Sequence, residues 1–105
     1  MRRDDAVFRA LADPSRRKIL QRLSKGEAAV KDLTARFDIS QPAVSQHLAT
    51  LRQAGLVAER RDGRLVYYRI DPEGLRPLID WLTHYQAFWP ERIDRLHALL
   101  KEMDE

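Results

Sequence analysis

The chain has 105 residues, of which 44% are hydrophobic and 33% charged, with a formal net charge of +3 and no cysteine. That length supplies one small domain with a modest core, and no apolar run approaches the roughly 18 residues of a membrane span or resembles a signal peptide. Lack of thiols excludes disulfides, thiolate metal sites and dithiol redox switching, and fits a cytoplasmic protein.

Val7, Phe8 and Leu11 open the chain as the apolar stripe of an N-terminal helix. Asp13-Pro14 then reads as an N-cap with a first-turn proline, starting a helix that turns Ile19, Leu20 and Leu23 toward the core. Val30, Leu33 and Phe37 predict a helix of two turns. Asp38-Ile39-Ser40 follows as a three-residue turn, the connection a helix-turn-helix needs. Ser40 is the N-cap of the next helix and Pro42 falls in its first turn, where a missing N–H costs nothing. Val44, Leu48 and Leu51 recur at i, i+4 and i+7, and Gly55 supplies a left-handed stop.

Residues 56–61 and 64–70 are β-prone runs flanking Asp62-Gly63, a two-residue turn signal. They predict a hairpin whose tip holds Arg60, Arg61 and Arg64. Asp71-Pro72 starts a last helix, in which Leu75, Ile79, Leu82, Gln86, Trp89, Ile93, Leu96, Leu100 and Met103 follow alternating steps of four and three. Pro90 interrupts that seam, so a kink or break is expected near residues 85–89. The expected single domain therefore divides into N-terminal helices (1–25), a helix-turn-helix (28–55), a hairpin (56–70) and a C-terminal helix (71–105). It is mainly α with a small β-hairpin, a winged helix-turn-helix.

What the second helix of that motif leaves outward points to DNA. Ser40, Gln41, Ala43, Ser45 and Gln46 are small or amide side chains, able to approach base edges and phosphates. His47 flanks the apolar stripe, and phosphate contact and packing stand as equal readings. Arg52 is expected on a phosphate, as are Arg60, Arg61 and Arg64, which also suit a minor groove. Tyr67 either joins them or packs within its strand. Charge follows the same division: residues 1–76 hold 16 Lys/Arg against 10 Asp/Glu, and residues 77–105 hold 3 against 6. A helical hairpin, or a winged helix used only for protein contacts or as an anti-repressor, is the alternative.

A seam as long as that of the last helix exceeds what one small core can cover and asks for a helix partner. The expected dimer interface comprises Val7, Phe8 and Leu11 with Leu75, Ile79, Leu82, Trp89, Ile93, Leu96 and Leu100. Folding back on its own domain is the competing reading. A two-fold dimer doubles the base contacts and requires an inverted repeat with half-sites about 34 Å apart. Catalysis is disfavoured. Ser45 and His47, at i and i+2, point about 200° apart on a helix and cannot pair, and no glycine-rich phosphate loop or paired carboxylate site is present.

F-R-A-L-A-D-P-S-R-R-K-I-L at 8–20, E-A-A-V-K-D-L at 27–33, Q-P-A-V-S-Q-H-L at 41–48 and the hairpin together resemble the ArsR/SmtB family of bacterial winged-helix repressors, over nearly the whole chain. The resemblance implies a homodimer that occupies a promoter operator on double-stranded DNA until a signal releases it. Members that sense soft metals often carry E-L-C-V-C-D-L, where this chain has Ala29 and Lys31 at the thiolate positions. The family's other metal site, Asp-x-His with a later His-x-x-Glu or His, maps from Asp80 onto Leu82, Ile93 and Leu96, all apolar. A zinc site from His84, Asp94 and His97 across a dimer is the alternative to plain surface or interface histidines. The resemblance thus implies a metal-independent member with no cofactor. Its effector, if any, would be an unidentified small molecule or protein. Trp81, Tyr85, Phe88 and Trp89 form an aromatic set that reads as dimer core, with a ligand pocket as the alternative.

Overall fold

One aspartate and two arginines make the first corner of the chain. The computed structural model describes residues 2–88, together with 98 and 101. Helix α1 (Arg3–Ala12) leaves the carbonyls of its last four residues without helical partners. Asp13 caps helix α2 (Pro14–Leu23), accepting the amides of Ser15 at 2.8 Å and Arg16 at 3.2 Å. From that first turn the guanidinium of Arg16 donates back to Ala10 O at 2.7 Å and Arg9 O at 3.1 Å. Arg17 donates to Leu11 O at 2.7 Å and Ala12 O at 3.1 Å, so every orphan carbonyl of α1 is satisfied. D-P-S-R-R is a helix corner before it is anything else.

Strand β1 (Ala28–Ala29) leads directly into α3 (Val30–Arg36), and residues 37–40 turn the chain into α4 (Gln41–Gln53). Ser40 Oγ accepts the Ala43 amide at 3.3 Å, the cap expected of it. At the other end Leu56 N–H reaches Leu51 O at 3.0 Å and Gly55 N–H reaches Arg52 O at 2.9 Å, with Gly55 at φ 81°. These are the two bonds of a Schellman stop.

Strands β2 (Val57–Asp62) and β3 (Leu65–Ile70) form the hairpin, from Val57 opposite Ile70 to Asp62 opposite Leu65. The turn is therefore Gly63-Arg64, one residue beyond the Asp62-Gly63 expected. Of the two turn residues only Gly63 has positive φ, 62°, which suits a turn with glycine first rather than second. Strand β1 pairs antiparallel with β3, Ala28 opposite Tyr68 and Ala29 opposite Tyr67, giving the order β1-β3-β2. This third strand was not expected; two alanines carry no local β signal, and the partner lies about forty residues on.

Helices α1 to α4 contribute to one core with the sheet: Val7, Ala10, Ile19, Leu20, Leu23, Leu33, Val44, Leu48, Leu51, Leu56, Val57 and Tyr68 are its main members. Val7 corrects the expected dimer interface. It is 0% exposed within its own chain and has no surface left to offer another. Leu11 and Leu75 are half-buried against the same core.

After Asp71 the chain makes a 3₁₀ turn (Pro72–Leu75) before α5 (Arg76–Thr83), rather than the continuous helix predicted from Pro72. Gly74 lies there against the backbone of Gly55 and Leu56, where a Cβ would overlap the Gly55 carbonyl. Helix α5 stops with His84 N–H on Trp81 O at 3.2 Å and Tyr85 N–H on Leu82 O at 3.0 Å, followed by a short 3₁₀ turn (Gln86–Phe88). The break thus comes slightly before the expected residues 85–89. Trp89, Ile93, Asp94, Leu96, His97 and Leu100 lie outside the described residues. Among the described residues no helix is long and apolar enough to cross a membrane.

Candidate nucleic-acid interface

Helix α4 buries Val44, Leu48 and Leu51 completely, which fixes its rotation about its axis. Ser40, Gln41, Ser45 and Gln46 are consequently exposed, with Ala43 half-buried. Gln41 and Ser45, one turn apart, face the hairpin across a groove of about 270 Å³ lined also by Lys31 on α3 and by Arg61, Arg64 and Val66 on the wing. Of the side chains expected on DNA, Gln41, Ser45, Arg61 and Arg64 line this one concavity, and Gln46 and Arg60 do not. The sequence reading missed Lys31.

The arginines divide into two groups. Arg61 and Arg64 are exposed and make no ion pair among the described residues. Arg60 is held by Glu27 in a two-pronged contact, Nη2 to Oε1 at 2.7 Å and Nε to Oε2 at 3.1 Å, and also approaches Asp62 at 3.7 Å. Its guanidinium carbon lies 4.6 Å from the centroid of the Tyr67 ring, its cross-strand neighbour. The hydrogen bonds that Arg60 donates draw the Glu27 pKa below its ordinary value and, reciprocally, raise that of Arg60. Arg52, at the end of α4, pairs with Glu59 at 3.0 Å, and the same carboxylate oxygen accepts the Tyr68 hydroxyl at 2.9 Å. Burial first, then the bond to Glu59, pushes the Tyr68 pKa up. Arg52 and Arg60, expected on DNA, and Tyr67, for which DNA contact and strand packing both stood open, are thus engaged within the protein.

His47 is half-buried. The Asp13 carboxylate is lowered mainly by the Arg16 amide, then by the Ser15 amide and the Arg16 charge, with His47 adding to the same field. Glu27 and Glu59 are the residues sequence reasoning overlooked. Neither carried a local signal: the expected Asp62-Gly63 turn would set Glu59 opposite Val66 rather than Tyr68, and Glu27 is 33 positions from Arg60.

A second surface lies between α1 and α5. Phe8 meets Trp81 edge-on at 5.5 Å between ring centroids, Trp81 meets Tyr85 at 5.2 Å, and Tyr85 meets Phe88 at 6.5 Å. This ladder remains open to solvent, with Ile79 58% and Phe88 72% exposed and Trp81, Leu82 and Tyr85 each near two-fifths. His84, near its end, is exposed, and its Nδ1 lies 3.0 Å from Asp80 O. No group of three or more metal-ligating side chains comes together among the described residues.

A helix-turn-helix followed by a hairpin packed on the same core defines a winged-helix DNA-binding protein. Residues 13–59 match the family described as "Bacterial regulatory protein, arsR family". The transcriptional repressor SdpR of Bacillus subtilis is 38% identical over 79 residues, spanning 75% of this chain and 88% of that protein. The HTH-type transcriptional regulator Rv2034 of Mycobacterium tuberculosis is 43% identical over 88 residues, 84% of this chain and 79% of that one. Among solved structures, an ArsR-like transcriptional regulator from Rhodococcus sp. RHA1 superposes with a TM-score of 0.71 at 31% identity, covering 98% of this chain and 93% of the other. The chain belongs to the ArsR family, a family of DNA-binding transcriptional regulators and not of enzymes.

Proposed function

We propose that this chain is a metal-independent repressor that binds an inverted-repeat operator as a homodimer in the cytoplasm. The observation that carries the reading is the groove in which the amide and hydroxyl of Gln41 and Ser45 face the cations Arg61 and Arg64. In that reading α4 enters the major groove, where Gln41, Ala43, Ser45 and Gln46 meet base edges and Ser40 meets the backbone. Arg61 and Arg64 hold phosphate beside them. Arg52, Arg60 and Tyr67 act by holding the wing. His47 packs within the protein.

Dimerisation rests on the exposed ladder between α1 and α5. Ile79, Trp81, Leu82, Tyr85 and Phe88 are exposed, and half-buried Phe8 joins their aromatic ladder through Trp81; apolar side chains exposed in this number mark an interface. Metal independence rests on Ala29 and Lys31, neither of which supplies a thiolate, and on Leu82, which supplies no imidazole. Release by a small molecule or a protein partner would act through the same helices.

The test is fluorescence anisotropy on the chain's own upstream promoter DNA against a scrambled duplex. A preference of at least about 100-fold, with two protomers per site, is expected of a specific dimeric regulator. Gln46→Ala should erode that preference, whereas a truncated backbone contact would weaken both duplexes alike. Weak, equal binding to promoter and scrambled DNA would overturn the operator reading.

A further inference from the structure

When a recognition helix lies in the major groove and its wing reaches the adjacent minor groove, the strand of backbone separating those grooves must cross the gap between them. In this chain that gap is the groove between α4 and the hairpin, and Lys31 stands in its wall beside Arg61 and Arg64. Resting on the DNA-binding reading above, we propose that Lys31 is a DNA phosphate ligand, completing with Arg61 and Arg64 a three-cation seat for the crossing strand.

Three observations converge on it. Lys31, Arg61 and Arg64 are exposed and make no ion pair among the described residues, whereas Arg52 and Arg60 around them are neutralised by Glu59 and Glu27. The carboxylate in the groove, Glu59, is itself balanced by Arg52 and bonded by Tyr68, so it does not cancel the three cations. Lys31 is also fixed relative to the wing. It is the second residue of α3, two positions after Ala29, whose strand β1 pairs with β3, so the first turn of α3 and the hairpin are parts of one sheet-linked unit. An ammonium on such a joint meets phosphate as a point charge, without the planar geometry an arginine would demand.

Each phosphate contact contributes about 0.9 to the slope of log affinity against log salt. Lys31→Ala should therefore reduce the slope by about that amount per protomer, equally on promoter and scrambled DNA, while Lys31→Arg retains it. Thermal melting checks that both variants remain folded, as expected for an exposed side chain. A Lys31→Ala slope equal to wild type, with Arg64→Ala lowering it, would overturn the seat and leave the DNA reading intact. Loss of slope in Lys31→Ala with no promoter preference in the wild type would support the seat and sink the operator reading. A wild type that binds neither duplex would overturn both.

Discussion

Gly74→Ala separates two physical expectations of opposite sign. The backbone of Gly74 is not in the left-handed region, so on conformational entropy alone alanine should stabilise the fold by about 0.4–1 kcal/mol. Against this, the added Cβ would collide with the carbonyl oxygen and carbon of Gly55 and come within 3.0 Å of Leu56 Cα. These are backbone atoms, pinned by the Schellman bonds that end α4 and by the 3.0 Å bond from Asp71 N–H to Leu56 O. No side chain can rotate away, so the cost belongs at the upper end of overpacking, about 3 kcal/mol. With about 4–8 °C lost per kcal/mol in a domain of this size, the melting temperature should fall by about 12–24 °C. Calorimetry or circular dichroism reads this directly. Glu73→Ala, which truncates an exposed side chain paired with Arg76, is the control and should stay within about 0.5 kcal/mol. A Gly74→Ala protein melting at or above wild type would refute the argument, because it would show that the 3₁₀ turn and the recognition-helix stop are not in rigid contact.

Ile79→Asp with Leu82→Asp should convert a dimer to monomers in sedimentation equilibrium, since both side chains are exposed within one chain; a double variant that remains dimeric would place the interface elsewhere. Glu27→Gln tests the contact that holds Arg60. Arg60 depresses the Glu27 pKa below its ordinary 4.5, so the stabilisation is complete above about that pH and is lost as pH falls through the lowered value. The melting difference between wild type and Glu27→Gln should accordingly be constant at neutral pH and close at acid pH; a difference independent of pH would refute it. Glu59→Gln removes a negative charge from the groove but loosens Arg52 and Tyr68, so affinity for scrambled DNA should hold or rise while promoter preference falls.

Where a feature is local, the sequence displays it. Asp13 and Ser40 cap α2 and α4, Gly55 stops α4, and the stripe Val44, Leu48, Leu51 is wholly buried, all from residues within a turn or two of one another. The hairpin was legible too, but its turn slipped by one residue because Asp-Gly and Gly-Arg are both acceptable two-residue loops, and the ladder decides. What stayed hidden depends on distance along the chain. The pairing of β1 with β3, the Glu27–Arg60 contact and the seat of Gly74 on Gly55 each join segments that only the folded core brings together. Val7 was misassigned for a related reason: a stripe identifies an apolar face, not which chain covers it.

The arginines of α4 and the wing show why composition alone overcounts a DNA interface. Arg52, Arg60, Arg61 and Arg64 look equivalent in sequence, yet a hairpin is a weakly anchored element whose tip must be held in register with the recognition helix. Unpaired, all four would raise affinity for any duplex, because phosphate attraction carries no sequence information. Pairing Arg52 with Glu59 and Arg60 with Glu27 converts two of them into struts, one from the wing to α4 and one from the wing to the segment leading into β1. The carboxylate at the edge of the groove is therefore no liability. In the proposed interface its repulsion of phosphate is offset by Arg52, and its contact with Arg52 ties the wing that carries Arg61 and Arg64 to the helix that carries Gln41 and Ser45. Discrimination between base pairs depends on that fixed relation, since a base edge is recognised only when the backbone contacts set the depth and register of the helix.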